Sequence, residues 1–293
     1  MHTWEWGAFQ QALGRNVQRY FLKAGGKHIG VFMLVRHAMP LGFSYGYMPR
    51  GPLIAPDFAT VDALPQVLRS IAQWARDEVP DLVFVRMEPP VPALAGNIEA
   101  HGFEIPPYYI QPRFNLVIPL DASEEEIAGS FHSSTRSNIR RAENRGVTVT
   151  FKNCIQESDL EEFFAMVENT IKRNGGTNAY PGSPYFKFLF QTVRMVGKKH
   201  NPKKLSVGMF SGYQNGAPAA IHFAVFFGDT ATYLYGASYT DKLSSKVSTY
   251  MHWTTMREAK ARGLKYYDLG GIDNVRWPTL TNFKRQFKGK EFH

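Results

Sequence analysis

Tyr266-Tyr267-Asp268-Leu269-Gly270-Gly271-Ile272 closes a short apolar run on an acid and a glycine pair. The chain then passes Arg276, Trp277 and Pro278 and reaches Asn282-Phe283-Lys284 and Phe287-Lys288. The run reads as a strand over Lys265 to Leu269, the glycines as a turn, and the rest as a loop followed by a basic-aromatic segment. Glycine has no Cβ, so backbone amides at 270 and 271 can approach a ligand closely, and Lys284 would arrive beside them. Read alone, this is a strand, a turn and a solvated basic tail. Its meaning comes from what precedes it.

Immediately upstream, Ser248 to Arg262 has helical periodicity, and Leu205 to Ser211, Ala217 to Phe227 and Thr230 to Ala237 read as an antiparallel meander. Tyr233 and Tyr235, two apart on a strand, are expected on the same side of it. Further back, helices are predicted over Glu124 to Phe131, Thr135 to Asn144, Asp159 to Arg173 and Tyr185 to Val196, with a strand over Val147 to Phe151. The first third abbreviates this order. A helix over Trp4 to Leu13 precedes strands Val17 to Lys23 and His28 to His37, paired around Gly25-Gly26, and a strand Phe43 to Tyr47. A helix Asp62 to Asp77, a strand Leu82 to Met87 and a short helix near Leu94 to His101 follow. The 293 residues therefore read as two α/β (α+β) domains, 1–110 and 111–293, with the boundary near Pro106 to Pro112. No sustained heptad pattern follows Ile155, so no coiled-coil arm is expected.

Hydrophobic content of 44% excludes a disordered chain. Lysine and arginine exceed the acids by 34 − 25 = +9, a balance that favours polyanionic partners. The single cysteine, Cys154, excludes an internal disulfide and a multi-cysteine metal site, and points to the reducing cytoplasm. No signal peptide is read at Met1 to Trp6, and no apolar stretch is long enough to span a bilayer, which leaves only peripheral contact with the inner membrane.

The densest basic cluster runs from His132 to Val147, with Arg136 and Arg140 at i, i+4 on one helix face and Arg141 and Arg145 on the adjoining one. Its bland reading is a solvated face partly paired with Glu143. Lys198, Lys199, Lys203 and Lys204 form a second basic run that reads as an exposed loop. The arginine forks suit phosphate oxygens, and the lysine run would meet an RNA backbone through charge alone. A Gly-x-Ser-x-Gly elbow, a His-Glu-x-x-His helix and a Walker A loop are missing, and the nine histidines do not fall at metal spacings. The Arg/Gln-x-x-Gly-x-Gly/Ala loop that holds coenzyme A pyrophosphate is also missing. Gln11, Arg173, Arg194 and Gln286 each begin such a match and fail at its last position.

The order helix pair, meander, helix, strand resembles a GNAT-type acyltransferase domain. Trp6-Gly7, Tyr47-Met48-Pro49-Arg50-Gly51-Pro52, Arg86-Met87-Glu88-Pro89, Thr135 to Ala142, Tyr233 to Ser238, Tyr267 to Ile272 and Phe283-Lys284 together resemble the Fem family of peptidoglycan-bridge aminoacyltransferases. The resemblance spans nearly the whole chain. It implies two tandem GNAT-like domains, the first abbreviated, that move an amino acid from aminoacyl-tRNA to an amine on the stem peptide of a peptidoglycan precursor, lipid II or its UDP-linked form. No metal or dissociable organic cofactor is implied. Lys284 matches the family lysine that stabilises negative charge during attack, with Phe283 before it; Glu88 matches an acid near the acceptor peptide and is the candidate base. Tyr185 and Tyr235 look like precursor-contacting tyrosines, and Arg50, Gly51, Gly270 and Gly271 belong to motifs that shape the cleft.

Two contacts of the UDP-linked pattern have no counterpart: a first-domain lysine, where Gln10, Gln11 and Ala12 stand, and an arginine shortly before Tyr185, where Tyr180 stands. Only nine residues follow Lys284, so the terminal segment expected to hold it is read as shortened. Competing classes are a GNAT-like N-acyltransferase acting on another envelope polymer and a non-catalytic RNA-binding protein. Neither the amino acid moved nor the oligomeric state is encoded in these motifs.

Overall fold

The computed structural model describes residues 1–91, 98–176, 178–200 and 205–292, with side chains omitted over 196–200. The chain divides into two compact units, Met1–Gln111 and Pro112–Phe292.

The first unit opens with helix α1 (Trp4–Ala12), capped where the Thr3 hydroxyl accepts from the Trp6 N–H at 3.1 Å. Strands β1 (Asn16–Ala24) and β2 (Lys27–Ala38) form a hairpin. Gly25 and Gly26 turn it at φ +54° and +77°, a backbone that side chains rarely adopt. Strands β3 (Ser44–Met48) and β4 (Leu53–Ile54), helix α2 (Ala63–Glu78) and strand β5 (Leu82–Met87) complete the unit. The sheet order is β1-β2-β3-β5, with β4 on β2 and β3 parallel to β5. Helix α2 lays Ile71, with Val67 and Trp74, on Phe32, Leu34 and Met48; Trp6 packs on Val17, Met33 and Val35. The short helix expected near Leu94 to His101 is a 3-10 turn over Ile98–His101, and 92–97 lie outside the described residues.

The second unit carries β6 (Phe114–Pro119), α3 (Glu124–Ser130), α4 (Ser133–Asn144), β7 (Val147–Lys152), α5 (Glu157–Arg173) and α6 (Ser183–His200). The meander β8 (Leu205–Gln214), β9 (Ala217–Phe227) and β10 (Thr230–Ser238) follows, then α7 (Val247–Ala261), β11 (Tyr266–Ile272), α8 (Pro278–Arg285) and β12 (Lys290–Phe292). Its seven strands run β12-β6-β11-β10-β9-β8-β7. Adjacent residues of a strand point to opposite faces, which assigns the two layers. His222 stands on the α7 face, within a core that includes Phe210, Val247, Met251, Met256 and Tyr267. Phe223 points the other way, its ring 4.8 Å from Phe163 of α5 and 4.9 Å from Phe186 of α6. Among the described residues there is no coiled-coil arm, and no helix is long and apolar enough to cross a membrane.

Three expectations change. The loop and basic tail after β11 contain a helix, α8, opened by Pro278 in its first turn. The stretch before Glu124 contains β6, the partner of both β11 and β12. The described residues behind Lys284, 285–292, do anchor it: Phe287 is buried against Phe131 and His252, and β12 pairs with β6.

Candidate active site

Strands β10 and β11 run parallel and pair only at Thr230–Tyr266, Ala231–Tyr267 and Thr232–Asp268. Beyond these pairs β10 stays with β9 and β11 with β6, so the sheet parts between them. Both strands are irregular at the parting, with register shifts between Tyr233 and Tyr235 and between Asp268 and Gly271. The glycine pair is therefore a bulge inside β11, which continues to Ile272, and the expected turn is corrected. Gly270 needs to be glycine because its φ is +77°. Gly271 needs to be glycine because Pro112 Cγ lies 2.2 Å from where its Cβ would stand, so this residue packs against its own chain.

Helix α8 delivers Lys284 to this parting. The residue is 4% exposed; Nζ donates to the Gly271 carbonyl at 2.7 Å and lies 5.9 Å from the centre of the Tyr233 ring. Burial pushes its pKa down to about 8, with the Asp268 charge acting in the opposite sense. At neutral pH it is thus a buried ammonium with donors beyond the one used on Gly271.

Around it lies a polar group set in an apolar core. The His222 Nε2–Thr255 Oγ1 distance is 2.8 Å, and the Thr255 hydroxyl donates to the Met251 carbonyl at 2.8 Å, so His222 carries its proton on Nε2. His252 Nδ1 and the Tyr267 hydroxyl are 2.8 Å apart. Burial pushes His222 down to about 3 and His252 well below its ordinary value, the latter helped by the charges of His222 and Lys284. Burial also raises Tyr233 and Tyr267. All four are neutral at pH 7.

The other face of the same sheet carries Tyr235. Its ring is 5.8 Å from Tyr185 and 6.2 Å from Tyr180, whose hydroxyl donates to the Gly236 carbonyl at 2.7 Å. Burial raises Tyr235, and its hydrogen bond to Tyr185 opposes that. Tyr233 and Tyr235 therefore do not share a face: the bulge at Leu234 turns one toward α7 and the other toward α6. A cation on this side is Arg173, which donates to the Ser238 carbonyl at 3.3 Å and to Thr240 Oγ1 at 3.1 Å.

In the first unit the Glu88 carboxylate is already engaged. It accepts from the Tyr47 hydroxyl at 2.6 Å and the Ile110 and Gln111 N–H groups at 3.3 and 3.4 Å, and meets Arg86 Nε at 3.5 Å. Arg50 holds φ +54°, and the His2 ring fills the space over Gly51, 2.1 Å from the position of a Cβ. His2 bridges the Met33 N–H and the Pro49 carbonyl. Arg136 caps α3, donating to the Gly129 carbonyl at 3.1 Å and to that of Phe131, whereas Arg140 is exposed. The Lys198 and Lys199 backbone belongs to α6 and not to a loop; their side chains, and Lys203 and Lys204 entirely, lie outside the described residues.

The profile of the FemAB family matches residues 1–194, two thirds of the chain, and that of the Acetyltransferase (GNAT) domain matches residues 129–285. The chain belongs to the FemAB family. Among its curated relatives is the lipid II:glycine glycyltransferase of Staphylococcus haemolyticus (strain JCSC1435), 24% identical over 339 residues, covering 92% of this chain and 79% of the relative. The enzyme of the same name from Staphylococcus aureus is 24% identical over 344 residues with the same coverage. A crystal structure of FemX superposes with a TM-score of 0.75 at 20% identity, covering 99% of this chain and 89% of that one. A tandem GNAT protein from the clavulanic acid biosynthesis pathway gives 0.51 at 10% identity, covering 92% and 78%. This FemAB-family chain is an aminoacyltransferase with a GNAT-type α/β fold.

Sequence reading missed His222, His252, Asn115 and Asp268, which the fold gathers around Lys284 and its glycine bulge. The histidines lack metal spacing; their signal is position, on a meander strand and the following helix, facing one core.

Proposed function

We propose that this FemAB-family chain transfers an amino acid from aminoacyl-tRNA to an amine on the stem peptide of a peptidoglycan precursor, with Lys284 as the charge-stabilising catalytic residue. The observation that carries the proposal is a buried ammonium held by a backbone carbonyl where β10 and β11 part. In the transfer, the precursor amine attacks the ester carbonyl carbon and a C–N bond forms. Negative charge grows on the carbonyl oxygen, which a donor in a dry site stabilises strongly. The C–O bond to the ribose then breaks, and the proton lost by the amine ends on the ribose oxygen. The aminoacyl ester is already activated, so the reaction calls for no metal or organic cofactor.

Curated relatives named for lipid II and glycine favour the lipid-linked precursor over the UDP-linked one, met by peripheral contact at the cytoplasmic face of the inner membrane. Tyr185 and Tyr235 would hold the precursor on one side of the parting. Residues 1–110 are read as an abbreviated GNAT-like domain, with Arg50 and Gly51 in a loop braced by His2. The surplus of +9 suits both polyanionic substrates, and exposed Arg140 is a candidate tRNA contact. Glu88 fits an anchor better than a base, because its oxygens are occupied.

The deciding assay offers the purified protein a panel of tRNAs charged with labelled amino acids, with lipid II in micelles or the UDP-muropeptide as acceptor. Transfer from one charged tRNA, lowered roughly 100- to 1,000-fold in Lys284→Ala with tRNA affinity intact, is the expected result. Silence across the panel together with turnover of acetyl-CoA would overturn it.

A further inference from the structure

Asp268, the acid that closes the apolar run of β11, takes no part in the transfer step above, yet both its carboxylate oxygens are committed. Oδ1 accepts from the Gly270 N–H at 2.7 Å, an Asx-type turn spanning Leu269. Oδ2 accepts from the Asn115 side-chain amide on β6 at 2.8 Å. The first bond coincides with the register shift between Asp268 and Gly271 and with the positive φ of Gly270. Beyond that turn the Gly271 carbonyl faces α8 and accepts from Lys284 Nζ. The carboxylate shapes the bulge, and the bulge holds the ammonium.

The charges around Lys284 single out the same residue. From β10 it meets Tyr233, from α7 His252, with His222 and Tyr267 behind, and burial keeps all four uncharged at neutral pH. Arg285, next along α8, is turned to Glu291 and Asn274. Of the groups set against Lys284 among the described residues, Asp268 is the one bearing negative charge.

We propose that Asp268, braced by Asn115, is the positioning residue of Lys284, fixing the bulge that aims the ammonium and supplying its counter-charge. This rests on the reading of Lys284 as the charge-stabilising group of the transfer. Asp268→Asn tests it with little change of shape: Asn115 can rotate its amide to present oxygen to the new amide, so the hydrogen bonds persist while the charge is lost. The first readout needs no substrate. Lys284 is titrated in lysine-labelled full-length protein by NMR, with Lys284→Arg assigning the signal. The midpoint is expected to fall by about one pH unit or more relative to the parent.

The second readout is the alkaline limb of kcat, expected to move down by the same amount, with transfer at pH 8 reduced about fivefold for a one-unit fall. An unmoved Lys284 midpoint in a folded Asp268→Asn protein overturns the proposal. So does a moved midpoint with an unmoved kcat profile. A moved midpoint in a protein that uses none of the charged tRNAs leaves the Asp268–Lys284 coupling standing and removes the transfer reading instead. Should Asp268→Asn not fold, Asn115→Ala removes the brace and keeps the charge: the Lys284 midpoint and the kcat profile must then move, and an unmoved pair overturns the proposal.

Discussion

Lys284 is held where a lysine is expensive. A pKa of about 8, against 10.5 for the free side chain, means that below pH 8 the fold bears the whole burial penalty, on the order of 3 kcal/mol. Between pH 8 and 10.5 the unfolded chain binds the proton that the folded chain has released, so stability rises with pH across that window. Lys284→Met is therefore expected to stabilise the protein at pH 7 by about 1–3 kcal/mol, less the lost bond to Gly271, while abolishing transfer. Thermal melts at pH 7 and pH 9.5 check it; the gain should shrink at the higher pH. Glu88 makes the opposite forecast. Glu88→Gln should leave kcat within about threefold and reduce stability by about 1–3 kcal/mol, because it weakens contacts that tie 108–111 to β5. A kcat loss of two orders of magnitude at unchanged stability would return the base role to it.

At the scale of elements, α8 decides where Lys284 points. Its first turn is fastened to the loop behind β11: the Thr281 hydroxyl donates to the Asp273 carbonyl at 2.8 Å and accepts from the Asp273 N–H at 2.9 Å. Thr281→Val keeps the volume and removes both bonds, so kcat should fall about tenfold with KM nearly unchanged, measured in the transfer assay. Arg136 and Arg140 separate in the same way. Arg136→Ala removes a cap from α3 and should cost about 1–2 kcal/mol in urea unfolding. Arg140→Ala should leave stability alone and reduce the salt slope of tRNA binding by about one.

Helices with a full apolar stripe, such as α2 and α5, and strands bounded by turn residues, such as β1, β2 and β9, were legible from spacing alone. Strand β6 was not, because it is short, lies between prolines and is defined by pairing with β11 some 150 residues away. Helix α8 was hidden by its length of eight residues, although Pro278 at its start and Lys284 and Arg285 in its last turn were readable signals. The position of Lys284 beside the glycines was legible. Its partners were not, since hydrogen bonds such as Asn115 to Asp268 link residues that no local pattern connects.

For the molecule as a whole, the two buried histidines predict a sharp acid limit. Each is neutral in the fold and charges in the unfolded chain, so stability is lost as pH falls below about 6.5, down toward about 3 for His222. Together they contribute a slope of up to about 2.7 kcal/mol per pH unit. Urea midpoints between pH 7 and 4.5 check this, and His222→Leu should remove about half of that contribution. The bulge at Leu234 carries a consequence of another kind. Losing that single codon would restore strict alternation and leave Tyr235 opposite Phe223 on the α6 side, so the extra residue is what lets two tyrosines so close in sequence serve opposite layers. Loss of Leu234 is therefore silent for the faces of β10, whereas loss of a residue elsewhere on the strand would turn those between it and the bulge to the other layer.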